Sequence, residues 1–246
     1  MTWRSDCLAA IALAGATAIV PIQASATPPT AATAIYAGLT GEILLDNARV
    51  LVRRFVIRPG ESTGIHWHHG HELLVVIKGG LLRSRDRGRV TLWKAGSVFW
   101  QDPFTASDEG STNIGPTDVM LVWVTLKPVA PSAAGAPAVA DPGSLYLGYP
   151  NVPGEDLLEN EAVIVQRFVL QPGQWEGVHA HVPNMLYIFI HGSKWASRTY
   201  RQRRSAQGDS PDGSVGWMPT IGISEGHESG NLSATPQEVV WVTLKQ

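Results

Sequence analysis

The side chains able to do chemistry fall into two clusters. His66 and His68 stand two residues apart with Glu72 four residues further on, and the same histidine pair returns as His179 and His181. Residues two apart on an extended strand share one face, so each pair presents two imidazoles side by side. The turn His69-Gly70-His71 then brings the chain back, and Glu72 faces the first pair from the following strand. Two imidazoles and a carboxylate converging in a small interior suit a divalent first-row metal. Buried histidines that converge are costly unless they are paired or metal-bound. Five of the eight histidines, His227 included, occupy positions that recur between the two halves of the chain or align across them.

An internal repeat supplies the elements that must position these groups. ILLDNARVLVRRFVIRPG at 43–60 answers DLLENEAVIVQRFVLQPG at 156–173, with ten of the eighteen positions identical. Each half also ends in VWVTLK, at 122–127 and 240–245, and Gly96-Ser97-Val98 with Trp100 answers Gly213-Ser214-Val215 with Trp217. Aligning the two VWVTLK ends without gaps sets Glu109 opposite His227 and Asn113 opposite Asn231. Short β-prone runs at 50–57, 73–77, 90–93 and 119–126, and at 163–170, 186–190 and 238–244, alternate with turn residues. Strands with no helix between them predict barrels or jelly rolls rather than a parallel sheet. The expected organisation is a leader at 1–26, a spacer at 27–33, one domain at 34–127, a Pro/Ala linker at 128–142 and a second domain at 143–246.

The spacing Gly60-x5-His66-x-His68-x3-Glu72-x6-Gly79 resembles the first cupin motif at every fixed position. The chain as a whole resembles the two-barrel bicupins over nearly all of its length outside the leader and linker. The resemblance implies an all-β protein of two tandem cupin-type double-stranded β-helix (jelly-roll) barrels. It also implies metal ligands. The second cupin motif ends in a histidine four residues before an asparagine, a position that Glu109 holds in the first half and His227 in the second. In the second half Gly173, His179, His181 and Gly192 keep the first motif, but Met185 replaces the glutamate. The first half is thus a His66, His68, Glu72 candidate with Glu109 as a further carboxylate. The second is a His179, His181, His227 candidate. Met185 has two readings, a polarizable filler of a vacated ligand position or a weak thioether ligand that would favour copper.

Bicupins include oxalate-metabolising enzymes, aromatic-ring dioxygenases and non-catalytic storage proteins. Oxalate enzymes carry three histidines and one glutamate in an active barrel, and neither half here has that set. The three-histidine half is more similar to dioxygenases whose iron is held without a carboxylate. The resemblance therefore implies a metal-dependent, oxygenase-type enzyme acting on a small organic molecule, with iron or manganese ahead of copper, nickel or zinc. A sugar- or aromatic-binding module in which metal is structural or absent stands as the alternative.

Other features narrow the setting. A net charge of −2 provides no field to recruit nucleic acid or an anionic membrane. Arg4, the apolar run 8–20 and the small residues Ala24-Ser25-Ala26 read as a cleavable export leader. The run falls short of the ~20 apolar residues a membrane span needs, so no membrane association is expected after cleavage. The single cysteine, Cys7, lies inside that leader, and cleavage would leave histidine and carboxylate to carry any metal chemistry. The expected location is periplasmic or secreted, with assembly into a homo-oligomer left open. Trp67 faces away from the histidines beside it and is expected at a barrel–barrel contact. The arginines at 83–89 and 198–204 read as solvated hairpins balanced by acids. His69 and His71 are expected at the surface or behind the ligands, and His191 as structural. No P-loop, dinucleotide fingerprint or Gly-x-Ser-x-Gly elbow is present.

Overall fold

Valine, isoleucine and leucine dominate the segments that become the central strands, and there the apolar residues run on consecutively instead of alternating with polar ones. Consecutive apolar residues in a strand mean that both faces are covered. The computed structural model, which describes residues 36, 38–66, 68, 70–85, 87–103, 110–128 and 145–245, shows what covers them. The leader, most of the linker, Trp67, His69 and Glu109 lie outside the described residues.

The first half contains β1 (Glu42–Asp46), β2 (Val50–Ile57), β3 (Glu72–Lys78), β4 (Gly80–Ser84), β5 (Val90–Trp93), β6 (Val98–Gln101), β7 (Ser111–Asn113) and β8 (Val119–Leu126). The second contains β9 (Gly154–Glu159), β10 (Val163–Leu170), β11 (Met185–His191), β12 (Ser193–Thr199), β13 (Arg204–Ser210), β14 (Val215–Met218), β15 (His227–Asn231) and β16 (Gln237–Leu244). A five-stranded sheet ordered β1-β2-β8-β3-β6 and a three-stranded sheet ordered β5-β4-β7 make up the first half. The second half repeats both orders, as β9-β10-β16-β11-β14 and β13-β12-β15. All of these pairings are antiparallel. This is an all-β fold of two tandem jelly-roll barrels. The only regular helical turn bounded among the named elements is the 3-10 segment Ile223–Glu225, and among the described residues no helix is long and apolar enough to cross a membrane.

Strand β3 shows how the alternation is used. Leu74 and Val76 join Phe55, Ile57, Leu121 and Trp123 inside the first barrel, where Leu82 of β4 closes the cluster. Leu73, Val75 and Ile77 face the other way and pack with Leu186, Ile188 and Ile190 of β11 in one cluster that draws on both halves. The outer faces of the two large sheets are thus pressed together, and their strands are buried on both sides. β11 turns Met185 and Phe189 into the second barrel's own core.

The repeated glycines have steric causes. A Cβ on Gly79 would overlap the carbonyl oxygen of Trp93, and one on Gly192 would overlap that of Ser210. Gly96 and Gly213 have φ of +79° and +76°, and each turn packs across the pseudo-symmetric interface. A Cβ on Gly96 would stand 2.9 Å from Glu238 Oε1, and one on Gly213 would stand 3.3 Å from Met120 Sδ.

The strands expected at 50–57, 90–93, 119–126 and 163–170 form with those bounds, and the other three extend by one or two residues. Missing from the sequence reading are polar strands such as β13, whose RSAQGDS carries no apolar pattern. Its seven-residue pairing with β12 holds it in place.

Leu186 is fully buried between the two sheets. Leu186→Ala should lower the unfolding free energy by about 2–5 kcal/mol. Urea denaturation should show a single transition at lower midpoint, because the cluster belongs to both barrels. Separate transitions for the two halves would contradict a shared core.

Candidate metal centre

Each histidine pair lies on an extended but irregular segment between two strands of its large sheet, not on a regular strand. Single bridges hold it there: Tyr36 with His66 in the first barrel, and His179 with His227 and His181 with Ile221 in the second. Aromatic rings frame both pairs in the same way. Tyr36 meets His66 edge-on at 4.8 Å between centroids, and Tyr149 meets His179 at 4.5 Å. Trp123 stacks on His68 at 5.1 Å, and Trp241 lies 5.0 Å from His181. The first histidine of each pair is also fixed from behind. His66 Nδ1 lies 3.0 Å from the Gly64 carbonyl oxygen and His179 Nδ1 lies 2.8 Å from that of Gly177. A ring N–H donated to a carbonyl sets the tautomer and leaves Nε2 with its lone pair facing the barrel interior.

In the first barrel Glu72 is engaged before it reaches a shared point with both histidines. One carboxylate oxygen pairs with His68 Nδ1, and the other accepts a hydrogen bond from Thr125 Oγ1 at 3.0 Å. The residues expected to converge are therefore neighbours, with Glu72 orienting His68. A cavity of about 430 Å³ opens above them, lined by His66, His68, Thr63, Trp93, Arg87 and Arg89 among others.

Met185 changes the second barrel. It is fully buried in the apolar core, where Glu72 has its counterpart position in the first barrel. With no carboxylate there, His181 Nδ1 is buried without a hydrogen-bond partner. The ring instead presents Nε2 to His179 Nε2 at 2.8 Å. His227, at the start of β15, completes a group whose ligand atoms all lie within 4.8 Å of one another. Among the described residues, this is the one such cluster of three. Burial holds His179 down at about 4 and His181 down at about 3, and it lowers His227 as well. All three rings are neutral at pH 7, which is the state that binds metal. Either tautomer of His181 leaves one ring nitrogen unmet or two lone pairs opposed. A cation among the facing lone pairs of the three rings relieves that opposition, so the residues fit a metal.

Sequence reasoning missed two further features. Tyr36 and Tyr149 were readable, because both halves carry Tyr-x4-Gly-Glu ahead of the first strand. Glu176 was harder to see, because the first half has Thr63 at its repeat position. Glu176 is 5% exposed, lies 3.9 Å from His179 Nε2 through Oε2, and accepts the Ser229 amide at 3.0 Å. Burial pushes its carboxyl up to about 7. The motif asparagines hold turns and do not face the sites. Asn113 Nδ2 donates to the carbonyls of Ile57 and Thr117, and Asn231 Nδ2 to those of Leu170 and Thr235. Glu228 beside His227 is taken by Arg198 at 2.6 Å and by the Tyr200 hydroxyl. His71 is exposed against Asp102 and Trp100, and His191 is exposed 3.9 Å from Asp212. A second cavity of about 240 Å³ reaches His227 and Glu176 between walls that include Tyr187, Phe189 and Trp195.

Comparison with known proteins gives no matching family model and no matching curated protein. Solved structures do match. A cupin 2 conserved barrel domain protein from Leptotrichia buccalis is 9% identical, with 87% of this chain and 92% of that one covered at a TM-score of 0.51. A deletion mutant of Bacillus subtilis oxalate decarboxylase is 12% identical, with 84% and 72% covered at 0.53. A salicylate 1,2-dioxygenase from Pseudaminobacter salicylatoxidans is 9% identical, with 83% and 75% covered at 0.50. These likenesses extend across both halves and show the fold, which is that of the cupin barrels.

The pH dependence of the metal-free protein follows from the shifted groups. His179 and His181 titrate lower when folded, so stability is lost as pH falls below the free histidine value of about 6.5. Glu176 titrates higher when folded and adds stability as pH falls from about 7 to the free carboxylate range, then adds no more. Two depressed histidines outweigh one raised carboxyl. The urea midpoint in chelator should fall from pH 6.5 downward, fastest below about pH 4.5. A midpoint that rises steadily toward pH 4 would contradict this balance.

Proposed function

We propose that the second barrel of this bicupin fold holds a divalent first-row metal on His179, His181 and His227, and that the protein is a metal-dependent enzyme of the oxygenase type. Iron or manganese is the expected ion, with copper, nickel and zinc as the other candidates. The observation that carries this reading is the convergence of three buried, neutral imidazoles, two of them with facing Nε2 atoms 2.8 Å apart. Such an ion, when bound, offers open coordination positions for a substrate and dioxygen. The protein's part is to hold and enclose. Gly177 fixes the His179 ring, Tyr149 and Trp241 shield the pair from one side, and the 240 Å³ cavity with its aromatic walls fits a small organic molecule beside His227. The cupin-fold enzymes with similar structures, an oxalate decarboxylase and a salicylate dioxygenase, are named for small organic acids, which supports that substrate class. The leader pattern read at 1–26 supports a periplasmic or secreted location for the working protein.

The chain lacking residues 1–26, purified without chelator or a histidine tag, should carry about one metal ion. His179→Ala/His181→Ala should lose it, and His66→Ala/His68→Ala should keep it. Elemental analysis and oxygen uptake after Fe(II) loading are the measurements. Failure to bind any added metal would overturn the enzyme reading.

The first barrel supports a second, binding-only reading for its own cavity, because Glu72 is already engaged with His68 and Thr125. Organic acids added to the protein should perturb Trp93 and Trp123 fluorescence with equal affinity in the presence and absence of chelator. Loss of that binding on chelation would assign a metal to the first barrel too.

A further inference from the structure

The arginine-rich hairpins of the two barrels differ in how their charge is met. In the second barrel Arg198 is held by Glu228 at 2.6 Å and lies over the Trp175 ring, and Arg201 pairs with Glu225 at 3.1 Å. In the first barrel Arg89 makes no ion pair among the described residues. Its backbone is nevertheless fixed, because its amide donates to Ser84 Oγ at 3.1 Å and its carbonyl accepts the Ser84 amide at 2.9 Å. Strand alternation then sets the direction of the side chain. Arg89, just before β5, and Thr91 and Trp93 within it are spaced by two and share one face. All three line the first-barrel cavity, as does Arg87. Among the described residues that line it there is no aspartate or glutamate.

The repeat shows that the fold does not require this cation. Gly80 pairs with Trp93 and Leu82 with Thr91 in the first small sheet, as Ser193 pairs with Ser210 and Trp195 with Gly208 in the second. By the same register Ala206, opposite Ser197, holds the place that Arg89 takes opposite Ser84. Trp195 stands where the first barrel has the smaller Leu82, and it covers Gly208 so closely that a Cβ there would lie 2.6 Å from the indole. The second cavity is accordingly smaller, about 240 Å³ against about 430 Å³, and no lysine or arginine is among the described residues that line it. One scaffold therefore carries a narrow indole wall in one barrel and a wider, cationic wall in the other.

We infer that the first-barrel cavity binds a planar organic carboxylate of single-ring size, with Arg89 as the residue that selects its charge. This inference rests on the binding-only reading of that cavity. A guanidinium presents paired N–H groups in a fork that matches the two oxygens of a carboxylate, and it stays charged at any working pH. Arg89 is exposed, so the ligand's charge stays at the rim while its ring enters. Trp93 and Phe99, 5.2 Å apart between ring centroids, and Trp123 supply aromatic walls for that ring. The volume lies in the ordinary range of small-ligand pockets. The second barrel, with Ala206 in place of the arginine, lacks this selection.

Calorimetric titration of the full chain with benzoate and with benzamide, its uncharged isostere, tests this. Chelator in the buffer keeps metal in either barrel from competing for the carboxylate. Benzoate should bind at least about tenfold more tightly than benzamide. Arg89→Ala, which copies the second barrel, should weaken benzoate by about tenfold and change benzamide by less than about twofold. Arg83→Ala removes the same charge from the opposite face of the hairpin and should leave both affinities within about twofold of wild type. If neither compound binds the wild-type protein, the binding reading of the first barrel fails and the inference fails with it. If both bind alike, or if Arg89→Ala leaves benzoate unchanged, the cavity binds but the assignment of Arg89 is wrong. Equal losses in Arg83→Ala and Arg89→Ala trace the effect to net charge and overturn the assignment as well.

Discussion

Each five-stranded sheet is buried on both faces, and that double burial governs the rest of the molecule. One face encloses a barrel interior, and the other packs against the matching sheet of the second half. The strands at the centre of these sheets are accordingly mostly apolar, and VLVRRFVI and VIVQRFVL interrupt the run only at Arg53-Arg54 and Gln166-Arg167. The double burial also gives the two barrels one continuous core. The small sheets, with one face in solvent, are left free to vary in sequence.

The rigidity of the shared core has a consequence for the sites. Both histidine pairs are held by repeated devices: a glycine carbonyl behind the first ring, a tyrosine at its edge and a tryptophan under the second ring. On this common frame, the partner of one ring nitrogen separates the two barrels. Where Glu72 holds His68 Nδ1, the carboxylate is engaged with that ring and with Thr125. Where Met185 leaves His181 Nδ1 unmet, the ring faces its neighbour and a three-histidine cluster forms. One substitution at a strand end thus accompanies a different arrangement of the whole cage.

The acids near the cluster divide the same way. Glu228 adjoins His227 in sequence but is neutralised by Arg198, which itself lies 3.9 Å over the Trp175 ring. Glu176, further away in sequence, has no such cation among the described residues and lies beside His179. Proximity along the chain is a poor guide to which carboxylate is chemically available. The charge that balances it decides.

The amino-acid sequence by itself determined the repeat, the all-β class, most of the central strands and the five histidines, because these depend on local pattern and on residue types with few other uses. His179, His181 and His227 come together as the cupin resemblance implied. Glu109 lies outside the described residues, and Glu72 is near its histidines but turned to one of them. What only the tertiary structure decided depends on contacts between distant segments. Polar β13 is a strand because β12 pairs with it, and the apolar faces of β3 and β11 meet because the barrels pack back to back. Glu176 belongs to the site because its segment is hydrogen-bonded to Ser229, 53 positions away. No local pattern records such a contact, since it exists only once the barrel has closed.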